Sequence, residues 1–210
     1  MSSPILYGAP QSTYVRTARM AFHEKGAAYA LEPIEIGSPA HLELHPFAKM
    51  PVMRHGDLVM YETAAITQYA DETFDGPPLR PAEPLALARM AQWISIHNCY
   101  FYNDAIRRYV LQYIFPKGPD GGPDRTTIDA ALPDLRRDLK LLDDAYGESA
   151  YLAGESLSLA DMFIAPCVFY LRNMPESGEM LEAHSNLKRA MAAIEQRSSF
   201  AETMPPPPPS

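Results

Sequence analysis

The sequence predicts an α/β domain followed by an all-helical one, and three observations carry that prediction. Short apolar runs alternate with helix-period segments as far as Phe74. A proline-rich stretch, Gly76-Pro77-Pro78-Leu79-Arg80-Pro81 with Pro84, then breaks the pattern. Beyond it the apolar spacing is helical almost throughout. The expected division is residues 1–76 for the first domain, 77–84 for a linker, 85–200 for the helical domain and 201–210 for a proline-rich tail. The 210 residues suffice for two modest domains or one large one.

Each element has its own local reason. Ile5-Leu6-Tyr7 is an apolar run stopped by Gly8 and Pro10, hence a buried strand. Ser12 or Thr13 caps a helix with Val15, Ala18, Met20, Ala21 and Phe22 on its apolar face, ending near Gly26. Residues 29–36 alternate as a second strand, and the β-helix-β order implies parallel pairing with a right-handed crossover. Residues 39–45 suit a short helix. Val52-Met53-Arg54 and Leu58-Val59-Met60 flank His55-Gly56-Asp57 as a hairpin. Residues 63–74 are helical, with Ala65, Ile66, Tyr69 and Ala70 on one face. After the linker, helices are expected over 85–115 (containing Trp93), 126–146, 158–171, 178–184 and 186–196. The run Pro205–Pro209 cannot join a helix or a sheet interior and reads as an exposed tail.

Composition excludes several classes. The net charge of −8 argues against a nucleic-acid or anionic-membrane partner. No apolar stretch reaches about 18 residues, so no transmembrane helix is expected. The N-terminus lacks a basic segment followed by an apolar run, so no signal peptide is expected either. A cytoplasmic enzyme or binding protein is the class that remains. Cys99 and Cys167 sit in apolar helical surroundings and are expected buried, reduced and inert. No Cys-x-x-Cys occurs, which excludes a dithiol redox site.

Two segments carry the chemistry. Lys49-Met50-Pro51-Val52 puts a proline at the mouth of a strand, and Tyr61-Glu62-Thr63-Ala64-Ala65-Ile66 puts an acid and a hydroxyl where a helix begins. A cis bond at Met50-Pro51 would present the Val52 backbone sideways, for an extended peptide to pair with as an added strand. The N–H and hydroxyl of Thr63, backed by the helix dipole, suit a carboxylate, and Glu62 suits an ammonium. The plainer alternatives are a trans proline opening a strand and a simple helix cap. Ser12 also stands at a helix N-terminus, where a thiol would be ionised more readily. It has no adjacent base and no nucleophile-elbow glycines, so a hydrolase role is not expected.

His41 and His45 are spaced i, i+4, but without an intervening acid or a third ligand they read as a solvated helix face rather than a metal pair. Ser158-Leu159-Ala160-Asp161 is a capping box with a structural role. Tyr102, Tyr109 and Tyr113 share one helical face, either lining an apolar pocket or serving as core or dimer surface.

Together these residues resemble the cytosolic glutathione transferase family, over nearly the whole chain. Leu6-Tyr7-Gly8-Ala9-Pro10-Gln11-Ser12 is similar to the strand-to-helix segment of its serine-type classes, phi, theta and bacterial relatives. His45-Pro46-Phe47-Ala48-Lys49-Met50-Pro51-Val52 is similar to the segment that holds the family's cis-proline. Tyr61 to Ile66 resembles its γ-glutamyl-binding turn, and Leu152 to Asp161 its helical capping box.

The resemblance implies a thioredoxin-like N-terminal domain, an all-α C-terminal domain and a homodimer. It implies that glutathione, as co-substrate and with no metal, is bound through Lys49, Met50, Pro51, the Val52 backbone, Glu62 and Thr63. Lys49 would meet the glycyl carboxylate, and Ser12 would hold the thiolate for attack on a small apolar electrophile, as in detoxification chemistry. Tyr7 is the alternative catalytic hydroxyl. Gln11, Tyr102, Ile106, Tyr109 and Tyr113 would form the electrophile site. A non-catalytic binding protein, or a lyase, isomerase or dehalogenase of the same fold, is the alternative function.

Overall fold

The computed structural model describes residues 3–206. In chain order these form β1 (Ile5–Tyr7), α1 (Thr13–Glu24), β2 (Ala30–Glu32), α2 (Pro39–Leu44), β3 (Val52–His55), β4 (Leu58–Tyr61) and α3 (Thr63–Thr73). There follow α4 (Pro84–Ile96), a π-helical segment (His97–Val110), α5 (Leu111–Ile114), α6 (Arg125–Glu148), α7 (Leu159–Arg172), α8 (Pro175–Glu182), α9 (Ser185–Glu195) and α10 (Ser198–Ala201). The chain divides into two compact units. One comprises the residues up to Arg80 together with those from Glu195 onward, and the other is Pro81–Ile194.

The first unit is a four-stranded sheet in the order β2-β1-β3-β4. β1 and β2 are parallel, as the β-helix-β order requires, and β1-β3 and β3-β4 are antiparallel. Leu6, Val52 and Met53 of the sheet are buried, as are Val15, Ala18, Phe22, Ile66 and Ala70 of α1 and α3. The second strand is shorter than the alternation over 29–36 suggested, because pairing with β1 ends at Glu32.

The first unit ends at Arg80, a few residues beyond the expected 76, for a stated reason. The buried Lys25 ammonium donates to Asp71 at 3.2 Å, to the Gly76 carbonyl at 3.3 Å and to the Pro77 carbonyl at 3.1 Å. Asp71 also accepts the Leu79 N–H at 2.8 Å, so the proline-rich stretch begins as part of this unit.

Residues from Glu195 onward return to the same unit. Arg197 grips Glu24 of α1 through two bonds of 2.7 and 2.6 Å, and buried Arg16 donates to the Phe200 carbonyl at 3.1 Å. Thr203 is fully buried. The order is therefore not that of a helical domain to residue 200 and a free tail from 201. Pro205 and Pro206 have no regular structure. Pro207–Pro209, the rest of the expected tail, lie outside the described residues.

The second unit is helical throughout. The long helix expected over 85–115 is present, but its middle is a π-helix of 14 residues, a wider winding that usually occurs in single turns at functional sites. Gly178, taken in sequence as a helix start, lies inside α8. A Cβ there would stand 3.1 Å from the Arg172 carbonyl, so the glycine admits the end of α7 instead of opening a helix. Among the described residues, no helix is long and apolar enough to cross a membrane.

Candidate functional site

The sheet register assembles the site. Tyr7 pairs with Val52 and Val52 with Tyr61, so the three residues form one row across β1, β3 and β4. β1 and β4 end at this row and β3 begins there. Gly8 to Ser12, Lys49 to Pro51 and Glu62-Thr63 therefore all leave the sheet at the same edge. Two helices, α1 and α3, start at that edge with their N-termini toward it.

Ser12 is the N-cap of α1. Its hydroxyl oxygen accepts the Val15 N–H at 3.4 Å, and its N–H donates to the Ala9 carbonyl at 3.0 Å. A hydroxyl has one proton to give as well, and among the described residues none accepts it from Ser12. Ser12 is half-buried, at the positive end of a 12-residue helix. Tyr7 is half-buried within β1. Gln11 is exposed in the loop between them.

The Met50-Pro51 bond is cis. Met50 packs against the opposite segment: its sulfur accepts the Ala9 N–H at 3.3 Å, and a Cβ at Gly8 would stand 3.3 Å from Met50 Cβ and 2.5 Å from Val15 Cγ2. Gly8 is thus the residue that lets Met50 and α1 close on one another.

The strand-addition expectation at Val52 needs correction. β3 is an interior strand, and Val52 is paired on one side with Tyr7 and on the other with Tyr61. Its main-chain groups face those neighbours. Met50 lies just outside the ladder.

Glu62 has φ 71° and is exposed; Thr63 is buried. α3 has no side-chain cap, so its first N–H groups are left to water or a ligand. Among the described residues the positive-φ non-glycines are Ala48 and Glu62, one beside each half of the site. Such conformations cost about 1–3 kcal/mol each and cluster where ligands are held.

The two histidines are not a solvated face. His41 is 0% and His45 1% exposed. His41 accepts the Gly37 N–H on Nδ1 at 3.1 Å, which leaves Nε2–H to donate to the Lys49 carbonyl at 2.9 Å. The i, i+4 spacing was read correctly as one helical face, but the face turns inward. No group of three or more His, Cys, Asp or Glu residues arranged to hold a metal occurs among the described residues.

The remaining expected residues belong to the second unit. Tyr102 is half-buried in the π segment, and its phenol is raised by burial first, with Cys167 adding to the effect. Ile106 is buried at 4% exposure and Tyr109 completely. The Tyr109 hydroxyl accepts the Ser177 N–H at 3.0 Å and donates to Glu176 at 2.9 Å, and Tyr113 donates to Glu176 at 2.6 Å. Tyr109 and Tyr113 do share a face, with ring centroids 5.5 Å apart, but it is the face that holds α8. Cys167 is buried as expected. Cys99 is exposed, contrary to expectation.

The sequence reading missed His41, Ala48 and the Gly8–Met50 contact. The visible signal was the histidine pair immediately ahead of Pro51.

Comparisons with known proteins identify the family and the fold. Residues 6–78 match the family model of the glutathione S-transferase N-terminal domain, and residues 125–196 that of the C-terminal domain. A glutathione S-transferase 1 of Triticum aestivum is 31% identical, over 83% of this chain and 82% of its own. A stringent starvation protein A homolog of Haemophilus ducreyi is 26% identical, over 95% of this chain and 88% of its own. The solved structure of glutathione S-transferase I from maize, in complex with an atrazine glutathione conjugate, superposes with a TM-score of 0.84 at 28% identity, covering 96% of each chain. The chain belongs to the glutathione S-transferase family.

Proposed function

We propose that this protein binds glutathione at the sheet edge of the first unit and holds its thiol as the thiolate for attack on an apolar electrophile. The observation that carries the reading is the row Tyr7–Val52–Tyr61, which delivers three segments and two helix N-termini to one edge. In this reading the ligand's cysteinyl backbone pairs with the main chain of Met50, beside the cis Pro51 and the flanked Val52. Glu62 takes the γ-glutamyl ammonium, and the open N-terminus of α3 at Thr63 takes the α-carboxylate. Lys49 meets the glycyl carboxylate.

Ser12 donates its unused proton to the sulfur. That bond and the α1 dipole both favour the thiolate over the thiol. The thiol proton leaves to solvent, the sulfur forms the new carbon–sulfur bond, and a halide or equivalent group departs with its electron pair.

The reading extends to a homodimer in the cytoplasm. Phe47 and Tyr61, both exposed and both packed on His45, form an apolar patch that supports a partner surface. Light scattering of Phe47→Ser should then report a monomer.

A second reading is a glutathione-transferase fold that binds without turnover, and the relatives include one named as a stringent starvation protein A homolog and not as a transferase. Glutathione affinity and conjugation of a generic aromatic halide separate the two. The enzyme reading expects turnover that Ser12→Ala reduces and Tyr7→Phe largely spares. Binding without turnover supports the second reading. Absence of glutathione binding sinks both.

A further inference from the structure

Ser12 is held by its own helix and by the loop that leads into it. β1 ends at Tyr7, and Gly8 is still fastened to the sheet, because its N–H donates to the Glu32 carbonyl at 2.9 Å. Ala9, Pro10 and Gln11 then carry the chain to the cap. Pro10 has no N–H to give. Ala9 carries a bond at each of its main-chain groups. Its carbonyl accepts the Ser12 N–H at 3.0 Å, and its N–H donates to the Met50 sulfur at 3.3 Å. Ser12 is thus linked, through Ala9 alone, to a side chain from the other half of the site.

Met50 is placed to be the fixed end of this link. Ahead of it, the Lys49 carbonyl accepts the His41 Nε2–H at 2.9 Å. Beyond it, Val52 is paired with Tyr7 on one side and Tyr61 on the other. A Cβ at Gly8 would stand 3.3 Å from Met50 Cβ, 3.5 Å from Met50 Sδ and 2.5 Å from Val15 Cγ2. The methionine side chain and the first turn of α1 therefore converge on that glycine. Val15 is also the residue whose N–H the Ser12 hydroxyl accepts. A thioether is a weak acceptor on an otherwise apolar side chain, so Met50 supplies packing and a bond together.

We propose that Met50 is a positioning residue for Ser12: its sulfur, by accepting the Ala9 N–H, fixes the turn from Ala9 to Ser12 and so the direction in which the Ser12 hydroxyl points. The assignment rests on the glutathione reading above and deepens it. It couples the segment that pairs with the peptide backbone to the hydroxyl that meets the thiolate. Without the sulfur, the Ala9 N–H loses its acceptor and the cap is held from the α1 side only.

The test removes the acceptor and keeps the volume. M50L is a volume-conserving exchange that should cost little stability, and M50Q returns an acceptor in its amide oxygen. Ionisation of bound glutathione is followed across pH by the ultraviolet absorbance of the thiolate, and kcat/KM by conjugation of an aromatic halide. In M50L the bound thiol should ionise about three- to tenfold less readily, the worth of one neutral hydrogen bond, and kcat/KM should fall by a similar factor. M50Q should regain part of both. A side chain that only packs would leave the ionisation alone and would gain nothing from a polar replacement. A double-mutant cycle locates the effect: in the S12A background, M50L should change neither quantity further. Wild-type ionisation in M50L, or a loss just as large in the S12A background, overturns the proposal and leaves the glutathione reading intact. A wild type that binds glutathione but ionises its thiol no more readily than water does overturns the proposal and spares the reading of binding without turnover. Absence of glutathione binding by the wild type overturns all of these.

Discussion

Two helix N-termini in this molecule begin with the same ingredients, a hydroxyl and an acid, and are wired oppositely. At α7, Asp161 is fully buried and accepts four bonds: the Ser158 N–H at 2.9 Å, the Ser158 hydroxyl at 2.7 Å, the Leu152 N–H at 2.9 Å and the Tyr146 hydroxyl at 3.1 Å. The capping box closes on itself. At α3, Glu62 points outward at φ 71° and no side chain caps the helix. A satisfied helix end stabilises the fold, whereas an open one leaves its N–H groups to water or a ligand. Breaking each end should therefore move a different observable.

The largest effect is expected at the closed end. Asp161→Ala strands four buried donors, and about 3–5 kcal/mol of stability should be lost. That is a large part of what a domain of this size has. Asp161→Asn keeps one oxygen for Leu152 and Tyr146 and should lose clearly less. Urea unfolding measures both, and a loss below about 1 kcal/mol for Asp161→Ala would show that the box contributes little.

Next comes Ser12, a cap whose hydroxyl also has a proton to give. Ser12→Ala should cost about 1 kcal/mol of stability, the worth of an N-cap. It should cost about 2 kcal/mol or more of transition-state stabilisation, seen in kcat/KM for an aromatic halide. Equal losses in stability and catalysis would make Ser12 a cap and nothing more.

How much of this could be read from the sequence follows the same division. Features set by residues near in sequence were legible. The parallel β1-β2 pair, the hairpin with Gly56 at its turn, the N-cap at Ser12 and the box at Asp161 all depend on local periodicity or on side chains three residues apart. So, through resemblance, was the cis peptide at Pro51.

Features set by distant partners were not. Nothing near His41 in the sequence says that the Lys49 carbonyl will meet its ring, so an i, i+4 pair of polar residues read as solvated. The π winding over His97–Val110 is a matter of which carbonyl each N–H chooses, on which residue identity is nearly silent. The return of residues 197–204 to α1 depends on Arg16, Arg19 and Glu24, whose partners lie more than 170 residues away.

Glu62 offers the sharpest separation of the two kinds of helix end. Glu62→Gly removes the side chain proposed to hold an ammonium and also relieves a positive φ that glycine adopts freely. Stability should rise slightly, by about 0.5–1 kcal/mol. Glutathione affinity should fall at the same time. Thermal unfolding and calorimetry on the one variant check both signs. A variant that is both less stable and weaker in binding would mean that Glu62 supports the fold as Asp161 does.

The smallest effect is expected from a third acid at a helix start, Glu176 in the first turn of α8. Burial alone would raise its carboxyl. Bonds from Tyr113, Arg125 and Tyr109 outweigh burial and bring it down to about 2. The same contact, after burial, pushes the Tyr113 phenol up to about 12. The folded pKa lies below the unfolded value of about 4.3, so the contribution is present above that value. It is lost as pH falls from there toward about 2. Arg125 is half exposed, so solvent screens the pair and the effect should stay below about 1 kcal/mol. Glu176→Gln should lower stability at pH 7 by that small amount and leave less acid sensitivity between pH 4.5 and 2.5, as followed by denaturation at each pH. If the variant and wild type lose stability in parallel over that range, Glu176 is not the titrating group, and its bonds to the two tyrosines matter only as packing.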